Sequence, residues 1–255
     1  MTIWQAVILG LVQGITEFLP ISSSGHLIAL PQLFGWGVQS YDFDVAVHIA
    51  TLLAILVAMR EDVKLLFKKE LFGKIALATV PVVIVGLLIS RFALETVRQP
   101  AVVAVNLFIW GVVLYLADRF SHKLKKPIEK LKNVRWGKAF MIGLAQSLAL
   151  IPGTSRSGVT ITAGLFGGMS RTAATRFSFL LAIPAIGGAG VLATMDILEH
   201  GASTPVAALI AGSVAAFLSG SLAIRFLLEF IKRSSFIPFA VYRIILAALI
   251  VIFIV

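Results

Sequence analysis

Long apolar runs separated by short clusters of Lys and Arg dominate this sequence. Hydrophobic residues make up 59% of the 255 residues and charged residues only 13%, whereas a soluble domain is typically about half apolar and about a quarter charged. This apolar excess is too large for the core of one soluble domain of this size, so burial in lipid is expected. The sequence therefore predicts an all-α integral membrane protein.

Six of the runs are long enough to cross a bilayer, which takes about 20 apolar residues per helix. The predicted spans are residues 44–60, 74–92, 100–118, 173–195, 205–228 and 236–255. Two further apolar stretches, residues 3–35 and 138–168, are each interrupted by a proline and a Ser/Gly run. We call the Ser/Gly runs the first break (residues 22–26) and the second break (residues 155–158). Since each half-stretch is too short to cross alone, both stretches are predicted to be re-entrant helical hairpins, which lipid tolerates only where they are buried in protein or line a wet cavity.

The two interrupted stretches are related by an internal repeat. At an offset of 133 residues, Gly10 maps to Gly143, Gln13 to Gln146, Ser22 to Ser155, Ser24 to Ser157 and Gly25 to Gly158. Each half of the chain, residues 1–118 and residues 137–255, then holds one hairpin and three spans. Because three is odd, the halves are expected to have opposite orientations. The prediction is an inverted repeat whose hairpin tips meet near the midplane, as in membrane proteins with binding sites at broken helices.

The distribution of basic residues predicts the orientation. Most of the 22 Lys and Arg residues lie in the basic linker (residues 119–136) or at other connections on the same side. Apart from Arg156 and Arg243 at membrane depth, only Arg91 and Arg98 fall on the opposite side. The basic side is cytoplasmic by the positive-inside rule, which leaves both termini facing outward. The net charge of +10 is explained by this topology, and no nucleic-acid partner is expected.

Each break offers the parts of an anion site. A helix that begins after Gly25 or Gly158 has free N–H groups in its first turn and the positive end of its dipole there. Glycine lets the backbone turn sharply and approach a ligand, and Ser hydroxyls can donate further hydrogen bonds. Two such N-termini that converge on one point would bind an anion, most commonly phosphate. Arg156 adds a planar guanidinium suited to phosphate oxygens.

Charged residues at membrane depth are few and are functional candidates because they are costly in lipid. They are Glu17, His26, Arg156 and Arg243, with His48 as a further polar candidate. A carboxylate can bind a divalent cation or act as a base, a His can move protons, and a Ser within reach of a His can be a nucleophile. Arg243 is equally consistent with a place near the cytoplasmic interface, and His48, at the start of a span, is more typical of an interfacial or packed residue. Together these groups suit phosphoryl transfer, which needs positioning and charge neutralisation.

Two signatures resemble those of a known family. Residues 13–26 (QGITEFLPISSSGH) look like the first signature of the bacterial undecaprenyl pyrophosphate phosphatases of the bacitracin-resistance (BacA/UppP) family, and residues 152–160 (PGTSRSGVT) resemble the second. Residues 177–184 and 236–243 are also similar, so the resemblance covers essentially the whole chain.

The resemblance implies a reaction and a place. Undecaprenyl pyrophosphate would be hydrolysed to undecaprenyl phosphate and inorganic phosphate, which recycles the lipid carrier for peptidoglycan synthesis and gives resistance to bacitracin. The protein would be a multi-pass protein of the bacterial cytoplasmic (inner) membrane with its site open to the periplasmic side. It would depend on a divalent cation, Mg²⁺ or Ca²⁺, and a homodimer is compatible with the family.

The resemblance also assigns roles to residues. Glu17 matches the second position of the family's (E/Q)xxxE motif and Gln13 the first, so Glu17 is expected to bind the cation or transfer protons, with Gln13 as a neutral ligand or orienting group. Ser23 is the expected nucleophile, with His26 as its base or as the leaving-group acid and Arg156 as the third matching catalytic position; direct attack by water is the alternative. The residues expected to bind substrate are Ser22, Ser24, Gly25, Ser155, Ser157, Gly158 and Thr160.

A polyprenyl-phosphate flippase or transporter is the competing interpretation, because inverted repeats with broken helices are typical of transporters. Release of phosphate in detergent, where no gradient exists, would favour the enzyme. Movement of the lipid between leaflets without hydrolysis would favour transport.

Overall fold

Helices form nearly all of the regular structure. The computed structural model describes residues 1–37, 39–89 and 99–255. Within these ranges it has eleven α-helices, two 3₁₀ turns and one isolated β-bridge. The helices are α1 (Ile3–Phe18), α2 (Ser23–Leu33), α3 (Tyr41–Ala58), α4 (Arg60–Leu65), α5 (Lys69–Leu88), α6 (Pro100–His122), α7 (Trp136–Ser147), α8 (Arg156–Phe166), α9 (Arg171–His200), α10 (Val206–Arg233) and α11 (Ile237–Phe253).

Five of the described helices, α3, α5, α6, α9 and α10, are long and apolar enough to cross a membrane, and the chain is a multi-pass membrane protein. The sequence predicted six long spans. The sixth corresponds to α11, which is apolar but has only 17 residues. The backbone N–H of Phe236, just before it, donates to Asp118 Oδ1 at 3.2 Å. The span predicted at 74–92 corresponds to α5, and its last residues lie, with Arg91 and Arg98, outside the described residues.

Both interrupted stretches are pairs of short helices. In the first, α1 ends at Phe18 and α2 begins at Ser23; in the second, α7 is extended by a 3₁₀ turn over Leu148–Leu150 before α8 begins at Arg156. The longest of the four, α1, has 16 residues, which at about 1.5 Å per residue falls short of a hydrocarbon core of about 30 Å. Both stretches are interrupted as predicted, but α2 and α8 begin at Ser23 and Arg156, three residues before the predicted starts after Gly25 and Gly158, because Ser22 and Ser155 already cap them.

Each first helix of a pair packs closely against a helix from the other half of the chain. On α1, a Cβ added at Gly10 would collide with the carbonyl oxygen of Gly212 in α10. On α7, a Cβ added at Gly143 would collide in the same way with the carbonyl of Ala78 in α5. Small residues at these crossings let the backbones touch. The contacts fix α1 and α7, and with them the loops that carry the two breaks.

Ion pairs hold the linker end of the helices together. Arg171 at the start of α9 forms a bidentate pair with the buried Asp118 of α6, with N–O distances of 2.6 and 2.9 Å. The buried Lys74 of α5 donates to the Lys132 carbonyl at 2.8 Å. The linker is shorter than predicted, because α6 continues to His122 and α7 begins at Trp136.

Candidate active site

The two breaks have the same unusual backbone. Ser22 (φ 76°, ψ 101°) and Ser155 (φ 69°, ψ 112°) are the only non-glycine residues with positive φ in the described part of the chain. Each caps the helix that follows, since Ser22 Oγ accepts from the Gly25 N–H at 3.3 Å and Ser155 Oγ from the Gly158 N–H at 3.1 Å. A conformation that costs an L-residue about 1–2 kcal/mol is thus held at both helix N-termini.

The breaks touch each other. Ser24 Oγ in the first break accepts from the backbone N–H of Gly153, at 3.3 Å. Ser157 Oγ in the second break donates to the carbonyl of Leu19, at 3.2 Å. The N-termini of α2 and α8 therefore lie side by side, and their positive ends face a common region.

Glu17 is the centre of the site. Its carboxylate, 7% exposed, accepts from Arg156 Nη2 at Oε1 (2.8 Å) and from Ser23 Oγ at Oε2 (2.8 Å). Gln13, one turn earlier on α1, donates from Nε2 to the same Oε2 at 3.1 Å. Three residues expected to be catalytic, Glu17, Ser23 and Arg156, are thus in direct contact, although Arg156 lies 139 residues from Glu17 in sequence.

His26 does not pair with Ser23. Its Nδ1 lies 2.7 Å from the Ser22 carbonyl and its Nε2 lies 2.6 Å from the Tyr242 hydroxyl. A carbonyl can only accept, so Nδ1 carries the hydrogen and Nε2 of the neutral ring accepts from the hydroxyl of Tyr242. The hydroxyl of Ser23 bonds Glu17 instead. The expected His26–Ser23 pair is replaced because the ring folds back one turn onto the strained Ser22 peptide.

The predicted substrate-binding residues divide by exposure. Ser22, Ser155, Ser157, Gly25, Gly158 and Thr160 are all buried. The four side chains among them are engaged in caps and buried contacts; Thr160 Oγ1, for example, lies 2.6 Å from Ser178 Oγ on α9. Ser23, Ser24 and Arg156 are partly exposed, and Arg156 also donates to the Ser178 carbonyl at 3.2 Å. A ligand therefore meets these last three first, while the buried residues shape the breaks.

Arg243 of α11 is the residue that sequence analysis left undecided. It is fully buried, and its hydrogen-bond partners among the described residues are all backbone carbonyls. Nη1 reaches Pro20 (3.3 Å) in the loop of the first break, and Nη2 reaches Gly153 and Thr154 (both 2.9 Å) beside the second. Its place is thus between the two breaks. The sequence feature that pointed to Arg243 was a charged residue inside an apolar run. For Tyr242, which contacts His26, the sequence offered only its place in a stretch that resembles the family.

His48 of α3 also lies at the site. Its Nε2 is 3.8 Å from Glu17 Oε2, its Nδ1 is 2.7 Å from the Asp44 carbonyl, and its side chain is 38% exposed. The sequence interpretation as an interfacial or packed His did not anticipate this contact. The signal available was its position on a span at membrane depth.

The donors around Glu17 can accommodate a cation. Gln13 Oε1 is buried and has no hydrogen-bond partner among the described residues, so a neutral oxygen is available one turn from the carboxylate. Within the described ranges no three His, Cys, Asp or Glu side chains cluster as a metal site. Any cation here therefore depends on Glu17 together with neutral donors.

Comparison with known proteins identifies the family. The family described as "Bacitracin resistance protein BacA" matches residues 6–249. An undecaprenyl-diphosphatase of Alteromonas mediterranea is 41% identical, with 100% of this chain and 99% of the relative covered. One of Moorella thermoacetica is 42% identical, covering 98% and 97%, and "Undecaprenyl-diphosphatase 2" of Stutzerimonas stutzeri is 41% identical, covering 99% and 98%. The chain belongs to the BacA family of bacitracin resistance proteins.

Proposed function

We propose that the protein is an undecaprenyl-diphosphatase, which hydrolyses undecaprenyl pyrophosphate to undecaprenyl phosphate and inorganic phosphate. The relatives that bear this name align with the chain over nearly its whole length. The observation that carries the proposal within the chain is the contact of Glu17 with both Ser23 and Arg156 between two helix N-termini. The reaction returns the lipid carrier to peptidoglycan synthesis and so counters bacitracin.

We further propose that α1–α2 and α7–α8 are re-entrant hairpins of an inverted repeat. The matched backbone angles of Ser22 and Ser155 and the matched collisions at Gly10 and Gly143 support this. The site would open to the periplasmic side of the bacterial cytoplasmic membrane, as the resemblance to the family implies. A homodimer stays a prediction.

Binding of the pyrophosphate would use the partly exposed groups of both breaks. Arg156 supplies two N–H groups in a fixed plane, which match phosphate oxygens. Ser24 and the first-turn N–H groups of α2 and α8 add donors at the positive ends of the helices. Because Arg156 already contacts Glu17, a bound pyrophosphate would share the guanidinium with that carboxylate.

The hydroxyl of Ser23 is set for attack. It donates to Glu17 Oε2 at 2.8 Å, so Glu17 can take its proton as Oγ bonds to the terminal phosphorus. The bond from that phosphorus to the bridging oxygen breaks, and undecaprenyl phosphate leaves with the oxygen. Glu17 passes its proton to the leaving undecaprenyl phosphate and is a carboxylate again. A water then attacks the phosphoserine phosphorus and gives a proton to Glu17, the bond from phosphorus to Ser23 Oγ breaks, and Ser23 takes that proton back from Glu17 as phosphate leaves. In the alternative, Glu17 deprotonates a water that attacks the terminal phosphorus directly.

His26 and Arg243 would hold this geometry. His26 bonds the Ser22 carbonyl, so we propose that it acts through the strained turn that presents Ser23. Arg243 binds carbonyls of both break loops and so fixes the two loops relative to each other.

A divalent cation, Mg²⁺ or Ca²⁺, stays a prediction. Glu17 Oε2 and the free Gln13 Oε1 would hold it. Once bound, it would neutralise charge on the pyrophosphate and polarise the phosphoryl oxygens.

Phosphate release tests the proposal. The purified protein in detergent with undecaprenyl pyrophosphate and Mg²⁺ should release phosphate, with the rate reduced by about 10²-fold or more in Glu17→Gln and Arg156→Lys, since single groups that stabilise developing charge contribute on this scale. Ser23→Ala should lose activity if Ser23 is the nucleophile and retain much of it if water attacks directly. Thr194→Val, on an exposed stretch of α9, is the matched control. No release by the wild type, with lipid moved between leaflets instead, would support the flippase.

A further inference from the structure

His48 has an unusual place for a residue two turns into a membrane helix. Its imidazole is much more exposed than Glu17, 38% against 7%, and its Nε2 faces Glu17 Oε2 across 3.8 Å. This gap is too long for a hydrogen bond. Nothing in the mechanism proposed above uses the ring.

The contact on the other side of the ring determines its tautomer. Nδ1 lies 2.7 Å from the Asp44 backbone carbonyl, which can only accept, so Nδ1 carries the hydrogen. Nε2 of the neutral ring then directs a lone pair toward Glu17. A His that donates one N–H to a backbone carbonyl and offers its other nitrogen is the usual arrangement of a metal ligand, because the carbonyl fixes the tautomer and the ring orientation.

The distance suits a shared cation. Two donors that each lie about 2.1 Å from one ion can be as far as about 4.2 Å apart, and the 3.8 Å between Nε2 and Oε2 lies within this limit. A third donor is close by in sequence and contact: Gln13 gives its Nε2 hydrogen to the same Oε2 and keeps an unpartnered, buried Oε1. Because residue 13 is Gln and not Glu, the site has one carboxylate where a Glu at position 13 would provide a second. The imidazole of His48 can serve as a further ligand without adding charge.

We propose that His48 Nε2 is a ligand of the divalent cation at this site, together with Glu17 Oε2 and Gln13 Oε1. The inference rests on the proposed function and names a residue that the family signatures do not include. A nitrogen donor disfavours Ca²⁺, which takes oxygen ligands, and favours cations that accept imidazole. The site should therefore prefer Mn²⁺ or Co²⁺ to Ca²⁺.

Binding of Mn²⁺ alone tests this without turnover. The purified protein in detergent is titrated with Mn²⁺ by electron paramagnetic resonance, and ¹⁴N coupling to the bound ion is measured by electron spin echo modulation. We expect ¹⁴N coupling in the wild type and in His122→Gln, an exposed His at the end of α6. In His48→Gln the coupling should disappear, the Mn²⁺ Kd should rise about tenfold or more, and the preference over Ca²⁺ should shrink.

Two results would overturn the assignment: no ¹⁴N coupling in the wild type, or coupling that persists in His48→Gln. A wild type that binds no Mn²⁺ would overturn it as well. Helical circular dichroism and size-exclusion elution, compared with those of His122→Gln, show whether the variant is folded, and His48→Ala, which cannot coordinate at all, should lose the coupling too. Phosphate release by the wild type is measured separately: release without ¹⁴N coupling rejects His48 and leaves the diphosphatase, whereas no release with any cation rejects the function itself.

Discussion

At each break one Ser has two structural roles that favour different residue types. Ser22 and Ser155 must cap a helix and also adopt a positive φ, and a Ser serves the first demand well and the second poorly. The strain is maintained because neighbours fix both sides of the turn, with His26 on the Ser22 carbonyl and Arg243 on Pro20. Local strain of this kind is commonly found where a backbone must present groups to a ligand.

Substitution of Ser22 separates the cap from the strain. Ser22→Ala loses the cap and keeps the strained φ, whereas Ser22→Gly loses the cap and relaxes the strain. We expect the stability difference between the Ala and Gly variants to be about 1 kcal/mol larger at Ser22 than at Ser170, which caps α9 at an ordinary φ of −66°, because only Ser22 pays the left-handed penalty. Unfolding in mixed micelles measures all four variants. Equal differences at the two positions would mean that the turn is unstrained.

We expect that Lys cannot replace Arg243 without loss of activity. A Lys keeps the charge but has one nitrogen, which cannot reach Pro20, Gly153 and Thr154 together. We expect Arg243→Lys to lower the rate of phosphate release at least about tenfold, since hydrogen bonds to a charged group contribute about 1.5–3 kcal/mol. Arg225→Lys, at an exposed position of α10, controls for the exchange itself. A fully active Arg243→Lys protein would show that activity does not require one side chain to bind the carbonyls of Pro20, Gly153 and Thr154 together.

At the scale of elements, α1 links packing to chemistry. Gly10 makes the backbone contact with α10, and Glu17, two turns later on the same helix, holds Ser23 and Arg156. A displacement of α1 at the crossing must therefore move the carboxylate as well. The sequence predicted the helix break that follows α1, since a break depends on local residue types. It could not predict which helix faces α1, because Gly212 is some two hundred residues away.

The close contact between α1 and α10 predicts that Gly10 cannot be replaced without loss of stability. Gly10→Ala places a methyl group against a carbonyl oxygen that cannot retreat, so it should cost about 1–3 kcal/mol of stability and reduce activity through Glu17. Gly143→Ala should cost a similar amount through α5. Gly86→Ala is the control, because nothing lies within 4 Å of its added Cβ, and it should be neutral or stabilising by up to about 1 kcal/mol. Equal stability of Gly10→Ala and Gly86→Ala would argue against a rigid crossing.

For the whole molecule, charge and symmetry predict one orientation. The chain has no Cys, so single cysteines can report topology without removal of native ones. In intact cells a membrane-impermeant maleimide should label Thr2→Cys and leave Lys126→Cys unlabelled, since the basic linker is expected inside. Both should react after the membrane is permeabilised. The reverse pattern would place the site on the cytoplasmic side.

The fold class, the breaks and the family could be predicted because each depends on residues close in sequence. The environment of the site could not. His26 meets Tyr242 across 216 residues and Arg243 meets Pro20 across 223, and no local pattern encodes such contacts. The sequence analysis paired His26 with Ser23 because the two are close in the chain. In the structure Ser23 donates its hydrogen bond to Glu17 instead.

The contacts of α1 and Arg243 have a consequence for biosynthesis. A chain emerges from the ribosome with its N-terminus first, so the first break is synthesised long before α10 and α11 exist. Until then Gly10 has no partner, and the carbonyl of Pro20 has no guanidinium. The site is completed only when α11, which carries Arg243, has been added. Partly made chains would therefore be unable to attack the carrier lipid, and quality control of insertion would coincide with the onset of activity.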